Sequence, residues 1–256
     1  MLVHRNFEKQ IISTHIEIIS PIKLASLKLN LRMNFRIASV IVLTCLTMNA
    51  CSQNKNMEQN TSEIFSIIAA NDSTKLSQWL SNHKKLEIQN SKGETPLMNA
   101  TYGNKVTLAK MLINAGANVN KQDNMLNSPF LYAGASGYLE ILQLCLKAGA
   151  DYKVFNRYNG SALIPACERG HIAIVTELLK DKNYPINHIN RLGWTALLEA
   201  VILGDGSSKY QSIVQLLVNA GCDISIKDKE GVDALTHAKN RNFKEITTIL
   251  ATATKK

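Results

Sequence analysis

The stretch Thr95–Ala117, TPLMNATYGNKVTLAKMLINAGA, decides the fold of this chain. Thr followed by Pro favours a helix start, because the hydroxyl accepts a free backbone N–H and Pro occupies a position where a missing N–H costs nothing. Gly116 follows a second apolar run, where a residue in the left-handed conformation ends a helix cheaply. The stretch therefore predicts two short helices joined by a tight turn.

Similar stretches recur along the chain at spacings of 33, 33, 34 and 38 residues. The predicted helix starts are Thr95, Ser128, Ser161, Thr195 and Asp233, and a turn-forming Asn or Asp stands five residues before each. A repeat of this period and order resembles the ankyrin repeat. The resemblance implies an all-α ankyrin-repeat solenoid of stacked helix-turn-helix units with short β-hairpin tips, whose concave face binds proteins.

The repeats set the expected domain boundaries. We expect an ankyrin repeat domain over residues 61–250 and a C-terminal tail over residues 251–256. The domain divides into a degenerate N-terminal repeat at 61–90 and repeats 1 to 5 at about 91–123, 124–156, 157–190, 191–228 and 229–250.

Two departures from the repeat pattern carry structural expectations. Leu126 stands where the other repeats have Gly or Asn, so we expect a distorted tip in repeat 2. The spacing of 38 arises from an insertion at Gly204–Lys209, which we expect to lengthen the turn between the two helices of repeat 4 by about five residues.

An export signal precedes the repeats. From Met33 the sequence has a basic start at Arg36, a short apolar core and the ending Met48-Asn49-Ala50-Cys51. This ending resembles a bacterial lipoprotein cleavage box. The resemblance implies a signal peptide at 33–50, lipidation of Cys51 as the mature N-terminus, and a flexible tether at 51–60. An uncleaved anchor or plain secretion are the alternatives.

The predicted signal peptide also indicates where translation starts and where the protein is located. Residues 1–32 precede the signal and are interpreted as an over-called start, with Met33 as the true one, or as a cytoplasmic tail. Ser52 follows the lipidated position, and by the family's sorting rule it implies the outer membrane. The expected location is the bacterial cell envelope, with the repeats on the periplasmic face.

Catalytic and nucleic-acid signals are missing from the sequence. It has no CxxC, HExxH, P-loop or GxGxxG motif, and its net charge of +9 is not gathered into a basic cluster. Cys145, Cys167 and Cys222 are expected to be buried free thiols, with a disulfide or metal site as the alternative. His171 is interpreted as structural. We therefore expect no enzyme activity, no metal, no cofactor and no nucleic-acid partner.

Function is expected where the repeats differ, at the tips and first helices of repeats 3 and 4. Arg and aromatic residues, which are favoured at protein interfaces, concentrate there. The predicted partner-binding residues are Arg157, Tyr158, Arg169, Arg191, Trp194 and Glu199. Local packing of Tyr158 and Trp194 against neighbouring tips is the alternative.

The leading hypothesis is a non-catalytic, monomeric binding module, anchored to the envelope through its N-terminal lipid. It would hold a protein partner on its concave face, and one version is an immunity or inhibitor protein. The alternative is a periplasmic stress-protective accessory to an envelope enzyme such as a peroxidase or catalase.

Overall fold

The computed structural model describes residues 60–83 and 85–254. This part contains twelve helices in pairs. They are α1 (residues 60–70), α2 (Ser73–Asn82), α3 (Pro96–Tyr102), α4 (Val106–Asn114), α5 (Pro129–Ser136), α6 (Leu139–Lys147), α7 (Leu163–Glu168), α8 (Ile172–Leu178), α9 (Ala196–Ile202), α10 (Ser208–Asn219), α11 (Ala234–Asn240) and α12 (Lys244–Ala253).

The helices stack in two layers. The first helix of each repeat contacts the first helix of the next, as α3 does with α5 and α5 with α7. The second helices α4, α6, α8, α10 and α12 form the other layer in the same way. Small and aliphatic side chains fill the space between the layers in one continuous core, which confirms the predicted all-α solenoid.

Local hydrogen bonds start four of the five repeats as predicted. The side chains of Thr95, Ser128, Thr195 and Asp233 each accept the N–H three residues later, at 2.7 to 3.3 Å. Each cap also accepts the N–H four residues later through its own backbone carbonyl. These bonds pair donors that the first turn of a helix would otherwise leave free.

Repeat 3 departs from this scheme, and the predicted cap at Ser161 is wrong. Helix α7 begins two residues later, at Leu163, with Ala162 in the cap position. The reason is Pro165, which stands where the other repeats supply the N–H that bonds to the cap carbonyl. The Leu163 N–H instead donates to the Tyr184 hydroxyl at 3.2 Å, so a side chain from the end of the repeat replaces the local cap.

The tips between repeats are tight hydrogen-bonded turns. Within the described residues no strand forms, and one isolated β-bridge joins Lys227 and Asp233. Leu126 adopts the left-handed conformation at φ +57°, as Gly93 does at +74° in repeat 1. The tip keeps the same closing bond, from Asp123 N to Asn127 O at 2.9 Å. The expected distortion is therefore absent. The tip keeps its shape because Leu126 adopts a left-handed conformation that strains its backbone.

The Gly204–Lys209 insertion mainly lengthens a helix. Helix α10 has 12 residues, whereas its counterparts α4 and α6 have 9. Only about two of the five extra residues enter the turn, so the turn is longer, as expected, but not by the five residues predicted. The Tyr210 hydroxyl donates to the backbone carbonyl of Glu168 at 2.7 Å. Tyr210, which directly follows the insertion, thus pairs with one free carbonyl at the C-terminal end of α7, the first helix of repeat 3.

Candidate functional site

A cleft of about 410 Å³ lies on the face formed by the tips and first helices of repeats 2 to 4. Tips contribute side chains from one side and helices α5, α7 and α9 from the other. Its lining includes Asn127, Tyr132, Arg157, Tyr158, Pro165, Glu168, Arg169, Asn190, Leu192, Glu199 and Leu203. The mixture of aromatic, apolar and charged groups is typical of a surface that recognises a specific ligand.

Four of the six predicted partner-binding residues come together in this cleft. Arg157, Tyr158, Arg169 and Glu199 line it, although up to 42 residues separate them in the sequence. Arg191 and Trp194 are not among the lining residues. The cleft therefore joins the third tip to α7 and α9, and the role of these side chains in binding stays a prediction.

The tip of repeat 3 presents a cation–aromatic pair to solvent. The guanidinium carbon of Arg157 lies 4.8 Å from the centroid of the Tyr158 ring, and both side chains are exposed. The Asn156 side chain accepts the backbone N–H groups of Tyr158 and Gly160, both at 2.9 Å. The turn that carries the pair is thus closed by its own Asn side chain.

Arg169 has a structural contact in addition to its place in the cleft. Its Nη1 donates to the backbone carbonyl of Ala135 at 2.7 Å, near the C-terminal end of α5. The C-terminal end of a helix carries free carbonyls and a partial negative charge, so a guanidinium at that end is stabilising. His171 packs beside Gly137 at the same junction, and burial lowers its pKa. This placement agrees with a structural role for His171.

Arg191 and Trp194 lie in the fourth tip outside the cleft lining. The Arg191 N–H donates to the Tyr158 carbonyl at 2.8 Å, which links the third and fourth tips through the backbone. The Trp194 ring is half-buried and packs against the core. Replacing Trp194 would thus remove packing as well as any partner contact, so it is a poor probe of binding.

Glu199 is the buried acid of the cleft. Glu199 lies in the first turn of α9 and is 4% exposed. Oε1 accepts a hydrogen bond from Asn190 Nδ2 at 2.8 Å, while the buried Oε2 has no hydrogen-bond partner. Burial, with the nearby negative charge of Glu168, raises the Glu199 pKa to about 7. Near neutral pH this group can therefore gain or lose its proton.

A fixed register places Glu199 on the face formed by the tips and first helices. In every repeat the residue nine positions after the turn Asn or Asp stands at the same point of the first helix, which gives the series Asn99, Tyr132, Pro165, Glu199 and His237. In repeat 5 the corresponding pair is Asp228 and His237, whose Oδ2 and Nε2 lie 2.6 Å apart. Asn190 itself was missed by sequence reasoning, and this nine-residue register is the signal that would have found it.

Three consecutive tips carry an exposed row of large apolar side chains, the apolar tip row of Met125, Tyr158 and Leu192. They are 53%, 51% and 46% exposed. Each stands two residues after the turn Asn or Asp, so the stacking of repeats aligns them. The tips on either side carry Lys92 and Glu230 at the same position. The row is therefore confined to repeats 2 to 4, and Tyr158 and Leu192 also line the cleft.

Three of the five cysteines lie in the described part of the chain. Cys145 and Cys167 are fully buried and Cys222 is half-buried, and all three are free thiols. Burial raises the pKa of each, to about 12 for Cys145 and Cys222, so the thiols stay protonated at neutral pH. The prediction of buried free thiols is confirmed for Cys145 and Cys167.

The remaining observations concern metals and the membrane. Across residues 60–83 and 85–254, no cluster of three or more His, Cys, Asp or Glu side chains could hold a metal ion. In the same part of the chain, no helix is long and apolar enough to span a membrane. Cys51, the signal segment and residues 51–59 of the predicted tether lie outside the described residues.

Comparison with known proteins identifies the family. A family model described as ankyrin repeats (3 copies) matches residues 65–156 and 130–228. The ankyrin repeat protein YahD of Escherichia coli K12 is 40% identical over 161 residues, which are 63% of this chain and 80% of YahD. The crystal structure of an ankyrin repeat domain from Acinetobacter baumannii AYE is 47% identical, with a TM-score of 0.73, and the match covers 75% of this chain and 97% of that one.

A more distant match extends the likeness of fold. It is a structure of a predatory endopeptidase from Bdellovibrio bacteriovorus in complex with an immunity protein. The TM-score is 0.61 at 23% identity, and the match covers 74% of this chain and 96% of that one. At this identity the likeness concerns the fold alone. The family model and the close relatives are decisive, and the chain belongs to the ankyrin repeat family.

Proposed function

We propose that this ankyrin repeat domain binds one protein partner on its concave face, across the apolar tip row and the cleft beside it. The observation that carries the proposal is the apolar tip row. Three large apolar side chains stay about half exposed on neighbouring tips, where burying them would gain free energy. Confined apolar patches of this kind mark interaction sites on soluble domains.

The charged tips at either end support a bounded contact. Lys92 and Glu230 stand at the tip position in repeats 1 and 5, so the apolar contact is three repeats wide. The Arg157–Tyr158 pair lies at its centre. Arg and Tyr are both enriched among residues that dominate binding energy, and a central position protects them from water in a complex.

The proposal extends to location. The predicted export signal and the lipoprotein-like box ending in Cys51 support a domain that is lipid-anchored in the bacterial envelope and faces the periplasm. In that setting the partner would be an envelope or incoming protein, and the sharpest version is an immunity or inhibitor protein that covers a toxin or hydrolase. This version rests on the predicted export signal and the cleft, and it requires binding alone.

The test is capture of the partner from envelope membranes by the tagged full chain after cross-linking. Tyr158→Ala combined with Leu192→Ala removes two side chains of the apolar tip row, and we expect capture to fall at least tenfold. Ile172→Ala is the matched control, because Ile172 is also an exposed apolar side chain but lies outside the cleft lining on α8. The melting temperature should stay unchanged in both variants.

Two results would contradict the proposal. If the double variant captures as much partner as the wild type does, the concave face is not the binding site. Equal losses from the double variant and from Ile172→Ala would show non-specific adhesion. Identification of the captured protein as a peroxidase or catalase would favour the stress-protective role over the immunity role.

A further inference from the structure

We propose that the floor of the cleft, formed by Glu199 and Glu168, receives a basic side chain, arginine or lysine, from the partner protein. This inference rests on the proposed function and names the chemistry that the cleft recognises. It concerns the acids on α7 and α9, which lie behind the apolar tip row.

The unpaired oxygen of Glu199 is the first observation. A buried carboxylate normally has hydrogen bonds to both oxygens, because an unsatisfied buried acceptor costs about 1 to 3 kcal/mol. Asn190 occupies Oε1, and Oε2 has no donor from the protein. Glu199 belongs to the lining of the cleft, so a donor that enters there can complete the pairing.

The charges around Glu199 are the second observation. Glu168 lies near enough to raise its pKa, and Cys167 of the same helix is a buried neutral thiol. In the described part of the chain, the ion pairs are Lys75–Asp72, Lys180–Glu177 and His237–Asp228. Neither glutamate of the cleft has a cation of its own, so the floor is complementary to an incoming positive charge.

The two arginines of the lining are engaged elsewhere. The Arg169 guanidinium is bonded to the Ala135 carbonyl, and the Arg157 guanidinium lies over the Tyr158 ring. Neither guanidinium forms an ion pair with Glu199 or Glu168. They lie in the lining, where they can contact acidic residues that flank the basic side chain of a partner.

The walls suit the stem of such a side chain. Long basic residues bury their methylene groups against apolar surface and keep the charge at a polar end, and cations are favoured over aromatic faces. Tyr158, Leu192 and Leu203 supply apolar area in the lining. Glu199 Oε2 is covered, so an entering cation has to displace a neighbouring side chain to reach it.

The test uses short blocked peptides as probes, observed by saturation-transfer NMR with the full chain. Peptides of sequence Gly-Gly-X-Gly-Gly carry Arg, Lys, Glu or citrulline at X. Citrulline has nearly the shape of arginine without its charge. We expect side-chain signals from the Arg and Lys peptides to be at least fivefold stronger than those from citrulline or Glu. The Glu199→Gln variant should lose this difference.

The controls separate charge from folding. Gln at position 199 retains an oxygen for Asn190 and removes the charge, so the fold is preserved. Glu245→Gln removes an exposed acid on α12 and should leave the Arg signal unchanged. Equal signals from Arg and citrulline, no signal from any peptide, or an Arg signal that persists in Glu199→Gln would each overturn the inference.

Capture of the partner distinguishes this inference from the proposed function. The apolar-tip-row variant is the Tyr158→Ala, Leu192→Ala double variant. If this variant loses the partner and Glu199→Gln keeps it at wild-type strength, the concave face binds the partner but the floor of the cleft takes no cation. If the tip-row variant keeps the partner, the proposed function itself fails. Loss of capture in both variants supports both.

Discussion

Asn190 and Glu199 are joined by a hydrogen bond of 2.8 Å, from Nδ2 to Oε1, that ties the fourth tip to the first turn of helix α9. The same Asn accepts the backbone N–H groups of Leu192 at 2.9 Å and Trp194 at 3.0 Å. One buried amide therefore shapes the tip and orients the acid of the cleft. Any movement of this tip is coupled to the position of the Glu199 carboxyl group.

We expect Glu199 to make stability fall as the pH rises. Its pKa is raised from 4.5 to about 7 in the folded state, so the native protein holds a proton that the unfolded chain has lost. The contribution is complete below pH 4.5 and is lost as the pH rises through 7. Between pH 5 and pH 8 the wild type should lose on the order of 2 kcal/mol relative to Glu199→Gln.

Urea unfolding of both proteins at pH 5 and pH 8 measures this difference. Other titrating groups, such as the paired aspartates, are shared by the two proteins and cancel in the comparison. Parallel pH dependences in the wild type and the Gln variant would show that Glu199 titrates like an exposed carboxyl group.

Asn190→Ala should destabilise the domain more than Asn156→Ala. Both side chains accept two backbone N–H groups within their tips. Only Asn190 also donates to a first-helix side chain, because Pro165 occupies the corresponding place in repeat 3. Breaking one more buried bond to a polar side chain should add about 1 kcal/mol or more to the loss.

The free energies of unfolding of the two variants, measured at pH 6, provide the comparison. Equal losses would mean that the tip bonds carry the whole effect and that the bond to Glu199 contributes nothing to stability.

Leu126→Gly should stabilise the protein. Leu126 has φ +57°, a conformation that costs an L-residue about 1 to 2 kcal/mol and that Gly adopts freely. Part of this gain is offset by the larger entropy of Gly in the unfolded chain, so we expect a net gain of about 0.5 to 1 kcal/mol. The side chain is exposed, so little packing is lost.

The reciprocal control is Gly93→Leu in the preceding tip. Gly93 has φ +74°, and a Cβ there would come within 2.4 Å of the Asn124 side-chain oxygen. Strain and clash together should lower the melting temperature, whereas Leu126→Gly raises it. A lower melting temperature for Leu126→Gly would show that its side chain contributes packing that outweighs the strain.

Cys51→Ser should abolish lipidation and membrane association. The mature wild type is expected to begin at Cys51 and to carry lipid on that residue, since the preceding segment resembles a lipoprotein cleavage box. Intact mass and membrane fractionation measure both properties. Cys45→Ser is the matched control, because Cys45 follows Thr44 and should not be the acceptor. Release of the Cys45 variant, or membrane retention of a non-lipidated Cys51 variant, would contradict the prediction.

The solenoid could be predicted because its signals are local. The caps at Thr95 and Thr195 pair with N–H groups three residues away, so the residues that start a helix are adjacent in sequence. The error at Ser161 was also local in origin, since Pro165 removes the N–H that closes the first turn. At Leu126 the sequence showed a Leu where the other repeats have Gly or Asn. The packing of the neighbouring repeats determines that the tip keeps its shape and that the backbone of Leu126 is strained.

The sequence alone determined the repeat period, the helix starts of four of the five repeats and the residues by which repeats 3 and 4 differ from the others. Only the tertiary structure decided that Glu168 and Glu199, 31 residues apart, share one cleft, while Trp194 lies outside its lining. The burial of Glu199 and its unpaired oxygen depend on neighbours from two repeats. Such properties follow from how the repeats stack, because desolvation and charge coupling act through space and leave no pattern in a single repeat.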